Sequence, residues 1–151
     1  MVLMQKKYYS YEEFRDDTKC LIEKTASFAP QAIVGIARGG LTLAHAMAEG
    51  LKIREVETLR TELYDGSCKR QEISLFGECK FKDIQRVIVL DDIADSGETL
   101  KAVMEHLEEK FSAIEFQSAT LFYKESSCYE PHFWINEANE WIEFFWEKDF
   151  E

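Results

Sequence analysis

The 151-residue chain is poor in the residues that interrupt or staple a fold. It has two prolines, Pro30 and Pro131, and seven glycines, with no Pro/Gly-rich linker, internal repeat or low-complexity tract. One domain over residues 1–151 is therefore expected. The four cysteines, Cys20, Cys68, Cys79 and Cys128, make no Cys-x-x-Cys and have no histidine at zinc-clip spacing, which argues against a metal knot or a disulfide scaffold. His45, His106 and His132 lie on unrelated segments and suggest neither a histidine metal site nor a triad. No stretch approaches the roughly 18 apolar residues of a spanning helix, and no apolar run follows Lys6 and Lys7 as in a leader peptide. The expectation is a cytoplasmic protein with no membrane partner. Basic residues are scarce as well, 18 against 29 acidic, for a net charge of −11. A field of that sign repels phosphate backbones, so nucleic acid is not an expected partner, and any anionic small ligand must be held by local donors.

What is present is a globular composition, 46% hydrophobic and 13% aromatic, patterned as alternating strands and helices. Ser10-Tyr-Glu-Glu13 has capping-box spacing ahead of Phe14, Thr18, Leu21, Ile22 and Thr25 on one helical face. Ala32–Ile36 reads as a strand, Arg38-Gly39-Gly40 as a turn, and Leu41–Glu49 as a helix closed by Gly50. Glu55–Leu59 reads as a strand, and the polar stretch from Arg60 to Lys82 as a long flexible loop or flap with weak strands. Arg86–Leu90 is the β-branched run of a strand buried on both faces, running into Asp91-Asp92. Ser96–Thr99 leads a helix with Leu100, Val103, Met104 and Leu107 on one side, and Ile114–Tyr123 is a further strand. The aromatic tail from Pro131 to Glu151 fits either core packing or a ligand lid. The whole predicts an α/β domain with a parallel sheet, whose ligands bind beyond the carboxyl ends of the strands.

One segment carries chemistry, Val87-Ile-Val-Leu-Asp-Asp-Ile-Ala-Asp-Ser-Gly-Glu-Thr-Leu100. A buried strand delivers two adjacent carboxylates to the sheet edge, and a tight turn then opens a helix. The N–H groups of Asp95, Ser96, Gly97, Glu98 and Thr99, with the hydroxyls of Ser96 and Thr99, make a candidate anion cup. Two acids beside a phosphate cup suit a sugar phosphate, whose diol engages the carboxylates, directly or through Mg²⁺, while the cup holds the phosphate.

That segment closely resembles the 5-phosphoribosyl diphosphate (PRPP) signature of the type I phosphoribosyltransferases. The likeness extends along most of the chain and is strongest to the bacterial xanthine-guanine (6-oxopurine) enzymes. Ile33-Val-Gly-Ile-Ala-Arg-Gly-Gly-Leu41 is similar to the family's pyrophosphate loop, Tyr64-Asp65 to the start of its catalytic loop, Phe122-Tyr-Lys124 to the strand whose lysine reads the purine 6-oxo group, and Trp141-Ile-Glu143 with Trp146 to its base-binding tail. The resemblance implies a Rossmann-like fold with helices on both faces of the sheet and a small C-terminal hood over about 125–151. It implies transfer of phosphoribose from PRPP to a 6-oxopurine, with Mg²⁺, in a homodimer or homotetramer. It assigns Asp91 and Asp92 to the ribose and Mg²⁺, Asp95 to catalysis, and Asp95 to Thr99 to the 5′-phosphate. Arg38 and Gly39 go to pyrophosphate, and Lys124, Trp141 and Ile142 to the base. A PRPP-sensing regulator, or an enzyme acting on a pyrimidine or another amine, are the alternatives. The chain departs from the family pattern at Leu63, where serine is usual, at Glu98 within the cup, and in a longer stretch from Ser126 to Asn139.

Overall fold

The computed structural model describes residues 5–65 and 71–151. Six strands form the central sheet in the order β4-β3-β2-β5-β6-β7. They are β2 (Ala32–Ala37), β3 (Val56–Asp65), β4 (Gln71–Phe76), β5 (Arg86–Ala94), β6 (Glu115–Tyr123) and β7 (Phe133–Glu137). All neighbours run parallel except the β3–β4 pair. A separate parallel pair joins β1 (Lys6–Tyr9) to β8 (Trp141–Phe144) and so ties the N-terminal strand to the tail.

The sheet is buried on both faces because its middle strands carry unbroken apolar runs, Ala32–Ala37 of β2 and Val87–Leu90 of β5. Ile33, Ile88 and Leu90 pack with Phe14 and Leu21 of α1 (Tyr11–Thr25) and with Leu43 and Met47 of α2 (Leu41–Leu51). Val34, Ile36, Val87 and Val89 pack instead with Leu100, Val103, Met104 and Leu107 of α3 (Glu98–Lys110). At about 25 cal/mol per Å² of apolar surface removed from water, these two layers dominate the fold's stability. The expected architecture, parallel sheet with helices on both faces, is the one observed. At the start of α1, Ser10 Oγ accepts from the Glu13 backbone N–H at 3.1 Å as the capping spacing predicts. The Glu13 carboxylate is drawn to Lys7 at 2.9 Å.

Three expectations are resolved or corrected by the structure. Of the two readings of Arg60–Lys82, a long loop or a flap with weak strands, the structure bears out the strands: β3 and β4 pair antiparallel, with Arg60 opposite Phe76 and Asp65 opposite Gln71, while residues 66–70, with Cys68, lie outside the described residues. A strand pair at the sheet edge is held by its ladder of hydrogen bonds, so its residues can stay polar and mask the strand period. Second, β5 does not stop at Leu90 but continues through Asp91 and Asp92 to Ala94, placing the acids inside the strand. Third, Gly50 does not close α2. It lies within the helix against α1, where a Cβ would stand 2.2 Å from Ile22 Cδ1, and the helix ends at Lys52 in the left-handed region at φ 60°. A side chain held there costs about 1 kcal/mol relative to glycine. Lys52→Gly is expected to stabilise the protein by about 0.5–1 kcal/mol, raising Tm by about 1–4 °C in a calorimetric melt.

Candidate active site

The carboxyl ends of β2, β5 and β6 converge on one edge of the sheet, as parallel neighbours must. On β5, Asp91 and Asp92 are each 8% exposed. Asp91 Oδ1 accepts from the Asp92 N–H at 2.9 Å, and Asp92 Oδ1 accepts from the Ile93 N–H at 2.8 Å. Burial, and then the charge of Asp92, push the Asp91 carboxyl well above the usual range. Burial pushes Asp92 up to about 6 against the opposing pull of its hydrogen bonds, with Glu147 adding to the rise. The turn after β2 lies directly on this pair: a Cβ at Gly39 would stand 2.3 Å from Asp92 Oδ2. Glycine is what lets the Arg38-Gly39 backbone reach the acids. Arg38 is exposed on the same edge, and among the described residues its guanidinium has no ion-pair partner.

Between β5 and α3, residues Asp95 to Gly97 turn sharply, with Gly97 at φ +85° as the N-cap of the helix. The opening N–H groups of α3, at Glu98 and Thr99, have no carbonyl partner within the helix and point toward the turn. Ser96 Oγ accepts from the Glu98 N–H at 3.3 Å, a long bond that a stronger acceptor displaces. Glu98 itself is exposed. Asp95 and Lys124 meet across the mouth of the turn at 3.5 Å, both about half exposed. An ion pair in that setting is worth little, so both groups can exchange it for a ligand.

Asp92, Asp95 and Lys124 open onto a cleft of about 360 Å³ whose far wall is the tail, including Ala138, Trp141 and Ile142. The tail both packs and lines the cleft. Phe144 is buried and stacks on Trp146 at 4.6 Å, whereas Trp141 remains 54% exposed on the cleft side. Asn139, Glu140, Phe144 and Glu147 also line the cleft. No periodicity or motif points to them, because they come from the turn before a short strand, the strand itself and the four-residue helix α4 (Phe145–Lys148) after it. The structure thus brings the candidates for ribose, phosphate and base to one edge. The backbone of Tyr64 and Asp65 lies at the end of β3, paired with β4, and the Leu63 side chain is 52% exposed there.

Residues 9–149 match the family model described as phosphoribosyl transferase domain. The chain belongs to the phosphoribosyltransferase family. It is 27% identical over 154 residues to the xanthine-guanine phosphoribosyltransferase of Cereibacter sphaeroides, covering 93% of this chain and 86% of that protein. The solved structure of the Helicobacter pylori xanthine-guanine-hypoxanthine phosphoribosyltransferase superposes with a TM-score of 0.90 at 34% identity, over 97% of this chain and 96% of that one. A purine phosphoribosyltransferase from Pyrococcus horikoshii gives 0.84 at 28% identity, with 94% of each chain covered. This phosphoribosyltransferase therefore shares its fold with those enzymes over nearly its whole length.

The buried acid pair has a measurable consequence. In the unfolded chain Asp92 ionises near its ordinary value, while the folded protein resists ionisation up to about 6. The folded state thus loses stability relative to the unfolded as pH rises through that window. Asp92→Asn removes this opposition and keeps an oxygen to accept from Ile93. Without PRPP or divalent metal, the variant is expected to melt several degrees above the parent at pH 8, a gain of up to about 3 kcal/mol. The gap should close toward pH 4; a pH-independent gap would mean that ionisation of the buried Asp92 carboxyl is not its source.

Proposed function

We propose that this enzyme transfers the 5-phosphoribosyl group of PRPP to N9 of a 6-oxopurine, guanine, xanthine or hypoxanthine, releasing the nucleoside 5′-monophosphate and pyrophosphate in purine salvage. The observation that carries the reading is the shared floor of the cleft. Asp92, Asp95 and Lys124 line that cleft, Asp91 adjoins Asp92 on β5, and the glycine turn that opens α3 begins at Asp95.

In this reading the N–H groups and hydroxyls from Asp95 to Thr99 hold the 5′-phosphate. A helix N-terminus contributes about 0.3–1 kcal/mol, and each hydrogen bond to a charged group about 1.5–3. That is enough to outweigh a diffuse field of −11. Asp91 and Asp92 accept from the ribose diol. As the C1′–O bond breaks, its electron pair leaves with pyrophosphate, and C1′ takes on cationic character beside these carboxylates. Arg38 and the Gly39 backbone face the departing charge. The purine N9 lone pair closes on C1′ while the N7 proton passes to Asp95. Lys124 donates to the 6-oxo oxygen, with Trp141 and Ile142 against the ring.

Mg²⁺ fits the donor set. Two carboxylates are hard oxygen ligands, and their raised pKa values mark an uncompensated negative site. Among the described residues no three His, Cys, Asp or Glu side chains converge as a cage, so Asp91 and Asp92 would share the ion with oxygens of PRPP. When bound, it supplies charge neutralisation at the diphosphate. The reading carries with it a cytoplasmic location and an assembly of two or four copies. Leu41 and Val56, which line a cleft between α2 and β3, are the exposed apolar groups that favour self-association.

The test is a panel of guanine, xanthine, hypoxanthine and adenine with PRPP and Mg²⁺, scored by pyrophosphate release. A lysine has three donors and no acceptor; the 6-amino group of adenine presents donors to it. A site built for one partner rejects the other by up to about 10⁴, so adenine should be a very poor substrate and Lys124→Ala should erode that preference. Equal use of adenine and guanine would overturn the oxopurine assignment. Asp95→Asn should reduce kcat by about 10²–10⁴ while leaving PRPP affinity nearly intact, because the amide keeps the turn's shape but cannot take a proton.

A further inference from the structure

The longer stretch after Lys124 has no part in the proposed chemistry, yet it makes specific contacts with the turn assigned to the 5′-phosphate. The Cys128 N–H donates to the Ser96 carbonyl at 2.8 Å. Gly97 is pressed against the same segment: a Cβ there would stand 2.1 Å from Ser127 Oγ and 2.8 Å from the Tyr129 nitrogen. Ser127 Oγ in turn donates to the Tyr129 carbonyl at 2.9 Å, closing the segment into a rigid turn. The turn that opens α3 is therefore backed by residues 127–129, none of which lines the cleft.

The segment's other end is fastened to the sheet. Ser118 of β6 is fully buried, and its N–H donates to His132 Nδ1 at 3.0 Å. Ser118 Oγ lies 3.0 Å from the same nitrogen and accepts from the His132 backbone N–H at 3.2 Å. The Tyr129 hydroxyl lies 3.5 Å from Ser118 Oγ. Because Nδ1 accepts from a backbone N–H, the ring must be unprotonated at that atom. Burial lowers the His132 pKa; Glu108 of α3 and Glu115 of β6, the charged groups that face it, act the other way without reversing it.

We propose that residues 127–132 are a brace for the phosphate-binding turn, with His132 and Ser127 as positioning residues that set PRPP affinity without touching PRPP. The inference rests on the proposed placement of the 5′-phosphate at Ser96 and Gly97. The physical argument is preorganisation. A glycine at positive φ is free to leave that conformation, and a cup whose N–H groups must be reordered on binding loses affinity. Contact with Ser127 and Cys128 on one side, with the Ser118–His132 clip as anchor, restricts that freedom before the ligand arrives.

The test compares His132→Leu, which removes the acceptor, with His132→Asn, which places Oδ1 where Nδ1 was. Steady-state kinetics with guanine, and calorimetry with PRPP and Mg²⁺, are the readouts. His132→Leu should raise KM and Kd for PRPP about fivefold to tenfold, the effect of losing positioning hydrogen bonds. The KM for guanine and kcat should stay within about twofold. His132→Asn should restore the parent PRPP affinity. A pH series separates positioning from general support: because burial lowers the His132 pKa, the parent should lose more PRPP affinity than His132→Asn as pH falls below 6.5, since asparagine does not titrate. If His132→Leu fails to fold, Ser127→Ala, which removes the group facing Gly97, should raise the PRPP Kd severalfold. Unchanged PRPP affinity in a folded variant overturns the brace, as does failure of His132→Asn to rescue. If the parent binds PRPP but turns over no oxopurine, the proposed reaction fails while calorimetry still decides the brace. If the parent binds no PRPP, both fall.

Discussion

Two adjacent carboxylates held out of water, inside the central strand near its carboxyl end, are the constraint on which the rest of the site depends. A strand buried on both faces has nowhere to send charge except to its end, and Asp91 and Asp92 stand where the core stops and the ligand edge begins. Their mutual repulsion and desolvation oppose folding, and the sheet's apolar layers offset that cost. The neighbouring elements follow from serving this pair. Gly39 is small so that the β2 turn can lie against Asp92, and the turn after β5 is tight so that a helix N-terminus opens immediately beyond the acids.

The charge of the whole chain and the charge of the site pull in opposite directions. At −11 the protein repels PRPP at long range, and even the cleft is walled by Asp92, Asp95, Glu140 and Glu147, with Lys124 against them. In the proposed reading, binding comes from short-range groups: N–H donors, hydroxyls, the Arg38 guanidinium and a divalent ion shared with PRPP. Such donors act over one hydrogen-bond length, where they exceed a solvent-screened field. Geometry therefore matters more here than in a site with a basic rim, which is why the backing of the phosphate turn by residues 127–129 bears on affinity.

The central unit from β5 to α3 is legible in the sequence because two strong signals meet there, an uninterrupted β-branched run and a helix with a clean apolar stripe. The family likeness implies roles for Asp95, Arg38 and Lys124, which spacing alone does not give, and the structure brings Asp95 and Lys124 to 3.5 Å. Other features are hidden for physical reasons. The β3–β4 hairpin lies at the sheet edge, where strands need no apolar alternation, and Arg60 shields Phe76 by lying over its ring at 4.3 Å. The end of α2 at Lys52 is masked because Gly50, which looks like a stop, instead lets α1 approach α2. The cleft lining from Ala138 to Glu140 belongs to the turn between two short strands, and the pairing of those strands with β6 and β1, with the Ala138 N–H donating to the Tyr123 carbonyl at 2.8 Å, fixes where it lies. Ser118, Ser127 and His132 carry no motif at all; their connection exists in three dimensions only.

The central claim is that one edge of the sheet holds both ends of PRPP at once, the 5′-phosphate at the β5–α3 turn and the diphosphate beside Arg38. Phosphorus NMR of PRPP with Mg²⁺, titrated with the protein, observes the two ends separately. The claim predicts that the 5′-phosphate and the diphosphate resonances all shift and broaden with a common saturation point at one ligand per chain. Resonances that stay unperturbed at excess protein, or a diphosphate that responds while the 5′-phosphate does not, would contradict it.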